Sequence, residues 1–409
     1  MNPSDLPPRD LLRAAWDSFL RGNVDTASAL ADEALQRFPT SRTFSSVGLM
    51  CMALGQYEQA ESLLARAIKL DPTDAESLYN CAHTLIDQRK IETAIAIIDL
   101  AVNLKPDSFR IRWLQFTALY LSGQFARALE VFEFRHKFLL FLGLQHIEPL
   151  LSRAPIWDGA PGQRLLLVQE QGLGDTIQYI RFVESVRKIS EEVNVFVAPS
   201  LESLIQRCVG NVVTMTTINP ESFDAWCPLM SLPFRLRLFA PTDAPSEPYL
   251  NAPQRQPIPT HHGFPKIGLA WKGSSSHPND GIRSMDVTLL EPLAKTGAAF
   301  FSLTVGSSCP SWIVDCGPLL RNLDDTAAVI AQLDLVISVD TAVAHLAGAL
   351  GKPVWIMIPS SPDWRWGLHG DTTAWYPSAR LYRQLAPRRW EPVVNRVIDD
   401  IQKFVTSLI

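Results

Sequence analysis

Residues 164–175 have the sequence RLLLVQEQGLGD, in which an apolar run enters a glycine turn that ends in a carboxylate. The consecutive apolar residues 165–168 are typical of a strand that is buried in a parallel sheet. The turn at Gly172 and Gly174 leads into a helical pattern that starts with Asp175. Because open α/β sheets bind ligands at the carboxyl ends of their strands, this stretch predicts an α/β fold with Asp175 in a ligand site.

Composition and charge exclude several classes of function. The chain has 409 residues, which predicts two or three domains, and its net charge of −5 provides no field that would attract nucleic acid. It has no apolar run of about 18 residues, so we expect no transmembrane segment, and the N-terminus does not read as a signal peptide. The six cysteines form no C-x-x-C pair, which disfavours a zinc site or a disulfide scaffold and favours a reducing compartment. We therefore expect a cytoplasmic protein without nucleic-acid partners.

The first third of the chain repeats itself at spacings of 33 and 34 residues. The repeated positions are alanines at 27, 60, 94 and 128, alanines at 34, 67 and 101, and prolines at 39, 72 and 106. Gly22, Gly55 and Gly123 each precede the first alanine by five residues, and Arg89 takes this place in the third repeat. The pattern predicts two helices per repeat, with the glycine ending the first helix and the proline stopping the second.

A period near 34 residues with this pattern resembles the tetratricopeptide repeat (TPR), and we expect an array of about four helix pairs over residues 8–135. Such arrays present a concave face that commonly holds peptides, and Arg110, Arg112 and Gln115 are candidate contacts there. A role as a spacer or dimerisation element remains the alternative.

The rest of the chain predicts two α/β halves. We expect a bridging helix and turn over 136–160, a first Rossmann-like half over 161–240, a linker over 241–265, a second half over 266–388 and a final helix over 389–409. The linker holds seven prolines in 25 positions, which excludes a helix or a central strand. Two halves joined in this way form a cleft, and pockets favour such interfaces.

A second strand–turn–helix motif lies in the second half. Residues 335–339 form an apolar run, and Asp340, Thr341 and Ala342 follow it at the start of a helical pattern. The exposed amides of such a helix start form an anion site that suits a phosphate. Capping of the helix by Asp340 or Thr341 is the alternative, and His345, one turn further on, is as compatible with a structural role.

Residues 171–175 and 333–355 together resemble the heptosyltransferase-like members of glycosyltransferase family 9, over about 160–385 of this chain. The resemblance implies a GT-B fold, in which the first half binds the acceptor and the second half binds a nucleotide sugar. It implies that Asp175, beside Gly172 and Gly174, is the general base of an inverting displacement.

The same resemblance implies a phosphate-binding turn at Asp340, Thr341 and Ala342, with His345 nearby. Lys272 resembles the cation that neutralises the leaving diphosphate, and Arg283 is a second candidate. An exposed loop lysine and a carboxylate that only stabilises its helix are the alternative roles of Lys272 and Asp175.

Two departures leave the donor sugar open. Ala342 stands where the family usually has glycine, and the loop 272–280 differs from the loop of the family. The sequence contains no D-x-D, so we expect no metal and no other cofactor, with helix dipoles and cations acting on the diphosphate instead.

The combined prediction is a TPR solenoid followed by an α/β GT-B module. Its expected activity is inverting, metal-independent transfer of a hexosyl or heptosyl group from a nucleotide sugar to a hydroxyl of a protein or cell-surface glycan that the repeats recruit. The alternatives are a TPR adaptor whose GT-B module is degenerate and catalyses nothing, and sugar-nucleotide epimerisation.

Overall fold

The computed structural model describes residues 6–138, 143–145, 147–213, 218–255, 257–259, 264–275, 277 and 279–408. The chain forms two compact units, Met1–Phe134 and Arg135–Ile409.

The described part of the first unit is helical, and its helices pack as four consecutive pairs. They are α1 Pro8–Leu20, α2 Val24–Arg37, α3 Ser41–Ala53, α4 Tyr57–Leu70, α5 Ala75–Asp87, α6 Ile91–Leu104, α7 Phe109–Leu121 and α8 Phe125–Phe132. The repeated alanines at 27, 60, 94 and 128 are fully buried, as close approach of paired helices requires. The helical array expected from the repeats is confirmed.

The turn inside each pair has a left-handed residue. Gly22, Gly55 and Gly123 have φ values of +82°, +76° and +81°. Arg89 occupies the same place in the third pair with φ of +61°. A side chain is disfavoured in this region, so the repeat geometry imposes the turn on Arg89 rather than following from its own preference.

The first helices of successive pairs line the inner side of the array. Helices α1, α3, α5 and α7 contact one another in turn, and successive second helices approach less closely. The closer spacing of the first helices curves the array towards them, so the surface that they form is the concave one.

The structure changes the list of candidate contacts on this face. Gln115 is only 5% exposed and donates to Asp99 at 2.7 Å, so it is a buried residue. Arg112 donates to the Gln115 side chain at 3.2 Å. Arg110 is exposed, and its guanidinium lies 4.5 Å from the centre of the Tyr79 ring. Of the three candidates, Arg110 alone is presented openly to solvent.

The second unit holds two parallel sheets. Their strands are β1 Arg164–Val168, β2 Glu192–Phe196, β3 Val212–Val213 and β4 Ala225–Pro228 in the first, and β5 Lys266–Ala270, β6 Ala299–Ser302, β7 Ile313–Asp315, β8 Leu335–Val339, β9 Val354–Ile358 and β10 Ala379–Arg383 in the second. The strand orders are β3-β2-β1-β4 and β10-β9-β8-β5-β6-β7. The pairings between neighbouring strands are all parallel in the described residues, so the α/β class is confirmed.

Helices connect these strands and flank both sheets. They are α9 Glu148–Leu151, α10 Leu173–Tyr179, α11 Val183–Arg187, α12 Pro199–Val209, α13 Leu232–Arg235, α14 Asp280–Arg283, α15 Leu323–Ala331, α16 Ala342–Ala349 and α17 Glu391–Leu408. The expected bridging helix covers only 148–151 among the described residues, because Gly143 adopts φ of +73° in a turn that precedes it. Residues 139–142 and 146 of that bridge lie outside the described residues.

The linker 241–265 packs against the second sheet's helices where it is described. The amides of Tyr249 and Leu250 donate to the carbonyl of Ala349 at 3.1 and 3.2 Å, and Leu250 and Ile258 are buried. Residues 256 and 260–263 of the linker lie outside the described residues.

Each sheet has one topological switch point, at which the order in which successive strands are added reverses. In the first sheet β1 lies between β2 and β4, and in the second sheet β5 lies between β6 and β8. Ligands of open α/β sheets bind at such switch points. The predicted site segments follow β1, β5 and β8, so the topology places each of them at a switch point.

Candidate functional site

The turn after β1 fixes the Asp175 carboxylate at the start of α10. Gly172 is the N-cap residue, and its amide donates to Asp175 Oδ2 at 2.8 Å. Gln171, just before it, has φ of +57°, a left-handed conformation that is uncommon for a residue with a side chain. Asp175 therefore stabilises the first turn of α10 through Oδ2, which is the structural role that was the alternative to a base. Its Oδ1 makes no contact with that turn and lies at the carboxyl end of β1.

A buried ion pair holds the other side of this turn. Arg135 donates from Nε and Nη2 to the two carboxylate oxygens of Glu170 at 2.8 and 2.6 Å. The same Nη2 donates to Ser231 Oγ at 2.8 Å, and the Met230 amide donates to Glu170 at 3.0 Å. These contacts fix the backbone directly before Gln171. Sequence reasoning missed them because the partners come from three distant stretches of the chain and form no motif.

The turn after β8 leaves the first turn of α16 without a side-chain cap. Thr341 is the N-cap residue, but its side chain makes no capping hydrogen bond. Its hydroxyl lies 3.1 Å from Ser338 Oγ instead. Arg283 Nη1 donates to the Asp340 carbonyl at 3.1 Å, which brings a guanidinium to the same turn. Capping by Thr341, one alternative to a phosphate-binding turn, is not observed.

The starts of α10 and α16 lie against each other. A Cβ atom added at Gly174 would lie 2.9 Å from His345 Cδ2 and 3.5 Å from Ala342 Cα. Gly174 therefore permits a close approach of the two helices that a side chain would prevent. The structure thus brings together the two segments that were singled out from distant parts of the sequence.

Arg365 connects the two halves at this point. It lies in a short 3-10 turn, 364–366, between β9 and β10, and its Nη2 pairs with Asp175 Oδ1. Its Nη1 pairs with Asp363 Oδ1 at 3.0 Å. No local signal in the sequence connects this arginine with a carboxylate 190 residues away.

Burial shifts the pKa values of several ionisable groups in the second half of the site. Burial and the negative charge of Asp363 raise the pKa of Asp340 to about 6. Burial likewise raises the pKa of Asp363. Burial, followed by the charges of Arg365 and Arg181, lowers the pKa of His345 well below its usual range. His345 is therefore neutral near pH 7 and adds no positive charge to the site.

His345 is packed on two sides. Its Nδ1 lies 2.9 Å from the Tyr376 hydroxyl, and its ring stacks on Trp366 with centroids 5.3 Å apart. Contact between His345 and a phosphate stays a prediction. Lys272 follows β5 and is exposed, which leaves its side chain able to reach a ligand.

Buried polar atoms without a hydrogen-bond partner gather where α10 and α16 meet. Those among the described residues are Gln171 Nε2, Gln178 Nε2 and Oε1, Arg283 Nε, Arg365 Nε and Trp375 Nε1. All but one of these atoms are N–H donors. A ligand rich in oxygen acceptors is the chemical complement of such a surface.

Two stretches of the chain match known protein families. The tetratricopeptide repeat matches at residues 12–75 and 52–119, and glycosyltransferase family 9 (heptosyltransferase) matches at residues 305–397. The chain therefore contains TPR repeats and a glycosyltransferase domain of the heptosyltransferase family.

Curated sequences and solved structures include proteins that are similar to this chain. Protein FlbA of Caulobacter vibrioides is 26% identical over 421 residues, which cover 89% of this chain and 67% of FlbA. The crystal structure of MamA covers 33% of this chain and 79% of its own at 17% identity, with a TM-score of 0.31. An O-GlcNAc transferase mutant of Thermobaculum terrenum covers 98% of this chain and 93% of its own at 17% identity, with a TM-score of 0.33.

None of the helices in the described residues has the length and apolar character that crossing a membrane would require.

Proposed function

We propose that this chain is an inverting glycosyltransferase that moves a sugar from a nucleotide-sugar donor to a hydroxyl of an acceptor recruited by the TPR repeats. Its glycosyltransferase domain gives the class of reaction. The site gives the residues that would carry it.

The observation that carries the proposal is the meeting of Asp175 with the uncapped start of α16. A carboxylate from the first half and a helix N-terminus from the second half lie at the same point, and the amides of α16 favour an anion there. The surrounding N–H donors and the Arg283 guanidinium suit the oxygens of a diphosphate.

In the proposed reaction an acceptor oxygen attacks the anomeric carbon while the bond from that carbon to the diphosphate breaks. Asp175 takes the hydroxyl proton, and the nucleoside diphosphate leaves with the bonding electrons. A single displacement of this kind inverts the anomeric centre. The base contributes about 10²–10⁴-fold to such a reaction. Arg283, Lys272 and the start of α16 stabilise the charge that develops on the leaving group, without a metal.

One observation favours the second candidate, an adaptor with a non-catalytic module. Asp175 has one oxygen on the Gly172 amide and the other on Arg365, so both are engaged by groups of the protein. A base must direct one oxygen at the acceptor hydroxyl. If the pair with Arg365 is permanent, Asp175 only stabilises the fold.

Binding and transfer separate the two candidates. We would screen UDP, GDP, ADP, CMP and dTDP by thermal shift with and without EDTA, and then assay transfer from the matching sugar donor. A ligand at 100 times its Kd stabilises the native state by about 2.7 kcal/mol. We expect one nucleotide to stabilise the protein equally with EDTA, because no metal takes part.

Asp175→Asn tests the base directly. We expect it to reduce transfer by about 10²-fold or more with nucleotide binding intact. Asp224→Asn is the matched control, because Asp224 pairs with Arg164 at 2.7 Å near the start of β1, away from the site. Full transfer by Asp175→Asn would end the assignment of the base, and absence of a nucleotide shift in the folded protein would select the adaptor.

We further propose that the concave face of the array recruits a protein acceptor. Arg110 is exposed on the first helix α7, beside Tyr79 and 3.4 Å from Glu76, and Arg66 is exposed on α4, which is the second helix of its pair. Arg110→Glu should raise the KM for a protein acceptor without changing kcat, and Arg66→Glu should leave both unchanged. Equal effects of the two changes would assign the array to a spacer. The cytoplasmic location stays a prediction.

A further inference from the structure

The contact between Asp175 and Arg365 gives the site two arrangements. In the one observed, Asp175 is 16% exposed and Arg365 is 9% exposed, so their pair is largely removed from water. Charge-assisted pairs of this kind are stronger than pairs on an open surface. As long as Arg365 remains on Asp175, that carboxylate is directed at a cation rather than at an acceptor hydroxyl.

Arg365 has a second anchor that would survive the loss of this pair. Its Nη1 pairs with Asp363 Oδ1 at 3.0 Å, and Asp363 Oδ1 also accepts the Arg365 amide at 3.1 Å. The guanidinium lies 4.7 Å from the centre of the Trp364 ring. A swing of Nη2 away from Asp175 therefore leaves the arginine held by its own loop.

A diphosphate bound at the start of α16 would be a second partner for the Arg365 guanidinium. The start of α16 lies against the Asp175 turn through Gly174, and no side-chain hydrogen bond from Thr341 caps that start. A diphosphate bound at that start would offer several charged oxygens. Guanidinium groups bind phosphate bidentately, and a diphosphate carries more charge than one carboxylate.

We propose that Arg365 is a donor-sensitive positioning residue, which holds Asp175 until the diphosphate of the donor takes over its guanidinium and thereby frees Asp175 Oδ1 for the acceptor hydroxyl. This inference rests on the proposed function. It makes the base available only after the donor has bound, and it explains how an engaged carboxylate serves as a base. The order of binding is then donor first and acceptor second.

The availability of Asp175 can be measured without catalysis. The full-length protein is treated with a water-soluble carbodiimide and glycinamide, and the modified peptides are quantified by mass spectrometry. Binding of a nucleoside diphosphate is established in parallel by thermal shift with UDP, GDP, ADP and dTDP. We expect the diphosphate that binds to speed labelling of Asp175 about fivefold, which corresponds to about 1 kcal/mol.

Substitutions supply the second arm. In Arg365→Gln, Asp175 should be labelled at the fast rate without nucleotide, and nucleotide should not change that rate. In Arg365→Lys the labelling rate should be intermediate, because lysine keeps the positive charge but lacks the two N–H groups of the guanidinium that bind side by side. Arg321→Gln is the matched control, since Arg321 pairs with Asp325 at 3.0 Å in a different cluster. In transfer assays, Arg365→Gln should raise the donor KM, because the diphosphate loses the guanidinium.

The outcomes are distinguishable. A nucleotide that binds while Asp175 labelling stays constant or falls overturns the proposal and leaves the proposed function standing. An Arg365→Gln protein that is folded by circular dichroism and labels at the wild-type rate overturns it as well. Absence of binding by every diphosphate removes the proposed function, and the proposal with it.

Discussion

At the scale of single residues, burial of the Asp340 carboxylate carries an electrostatic cost. Burial and the charge of Asp363 raise the pKa of Asp340 to about 6, whereas an unfolded chain has an aspartate pKa of about 3.9. The folded state therefore binds this proton more tightly than the unfolded state. The stability that this protonation gives is complete at low pH and is lost as the pH rises through 6.

We predict that Asp340→Asn stabilises the protein at neutral pH. The amide has no charge to bury, so the free energy of unfolding should rise by about 1–3 kcal/mol at pH 8, with little change at pH 4. Urea denaturation at both pH values measures the difference.

Asp286→Asn provides a control of opposite sign. Asp286 caps the Thr288 amide at 2.8 Å, and this bond, with that from the Thr288 hydroxyl, lowers the pKa of Asp286. Its contribution is present at neutral pH and fades in acid, so the variant should be less stable at pH 8. A loss of stability at pH 8 for Asp340→Asn would contradict the proposed cost of burying its charge.

The sequence indicated the residues that lie in local motifs, but not their partners. Asp175 and Asp340 each follow an apolar run and a turn, which is a signal within about ten residues that a single sequence displays. Arg365 lies in a loop whose local pattern is equally typical of a packed aromatic cluster. Its pairing with Asp175 depends on how two sheets meet, and hydrophobic periodicity contains no information about that.

At the scale of elements, the close approach of α10 and α16 depends on Gly174. We predict that Gly174→Ala destabilises the protein by about 1–3 kcal/mol, the usual cost of overpacking, and impairs transfer more than it impairs folding. The new Cβ would lie 2.9 Å from His345 Cδ2, and His345 cannot yield easily because Tyr376 and Trp366 hold it. Thermal unfolding and a transfer assay measure the two effects.

Gly281→Ala is the matched control for this prediction. A Cβ at Gly281 would meet no atom within 4 Å, and Gly281 lies in α14. We expect no loss of stability there. Equal melting temperatures for both variants would show that α10 and α16 can separate freely, and would contradict the close packing that places Asp175 beside the start of α16.

Element types followed from the sequence where one periodicity dominated. The final helix was expected over 389–409 and is found at Glu391–Leu408, because its apolar residues repeat at helical spacing. The bridging helix expected within 136–160 is found as an α-helix only at 148–151 in the described residues, because apolar content was taken for periodicity and Gly143 breaks the run. Arg89 shows the opposite case, in which repeat context imposes a glycine-like turn on another residue.

At the scale of the whole molecule, the two halves of the second unit are joined at a second place, between α12 and α15. Arg207 donates to both carboxylate oxygens of Asp324, at 2.7 and 2.6 Å. Asp324 is only 2% exposed, and Arg255 also reaches it at 3.5 Å. An ion pair between Arg207 of the first half and the buried Asp324 carboxylate of the second half thus connects the two halves.

We predict that Arg207→Met destabilises the second unit by about 1–3 kcal/mol and also weakens nucleotide binding. Removing one partner leaves a buried carboxylate with only the longer contact to Arg255, which is the costly way to break an ion pair. Arg164→Met is the matched control, since it breaks an Arg–Asp pair inside one half whose side chains are 37% and 43% exposed, and exposed pairs contribute about 0–1 kcal/mol. Denaturant titration and nucleotide binding distinguish the two positions.

If Arg207→Met lowers stability but leaves nucleotide affinity unchanged, the connection between α12 and α15 stabilises the fold without setting the distance between the halves at the site.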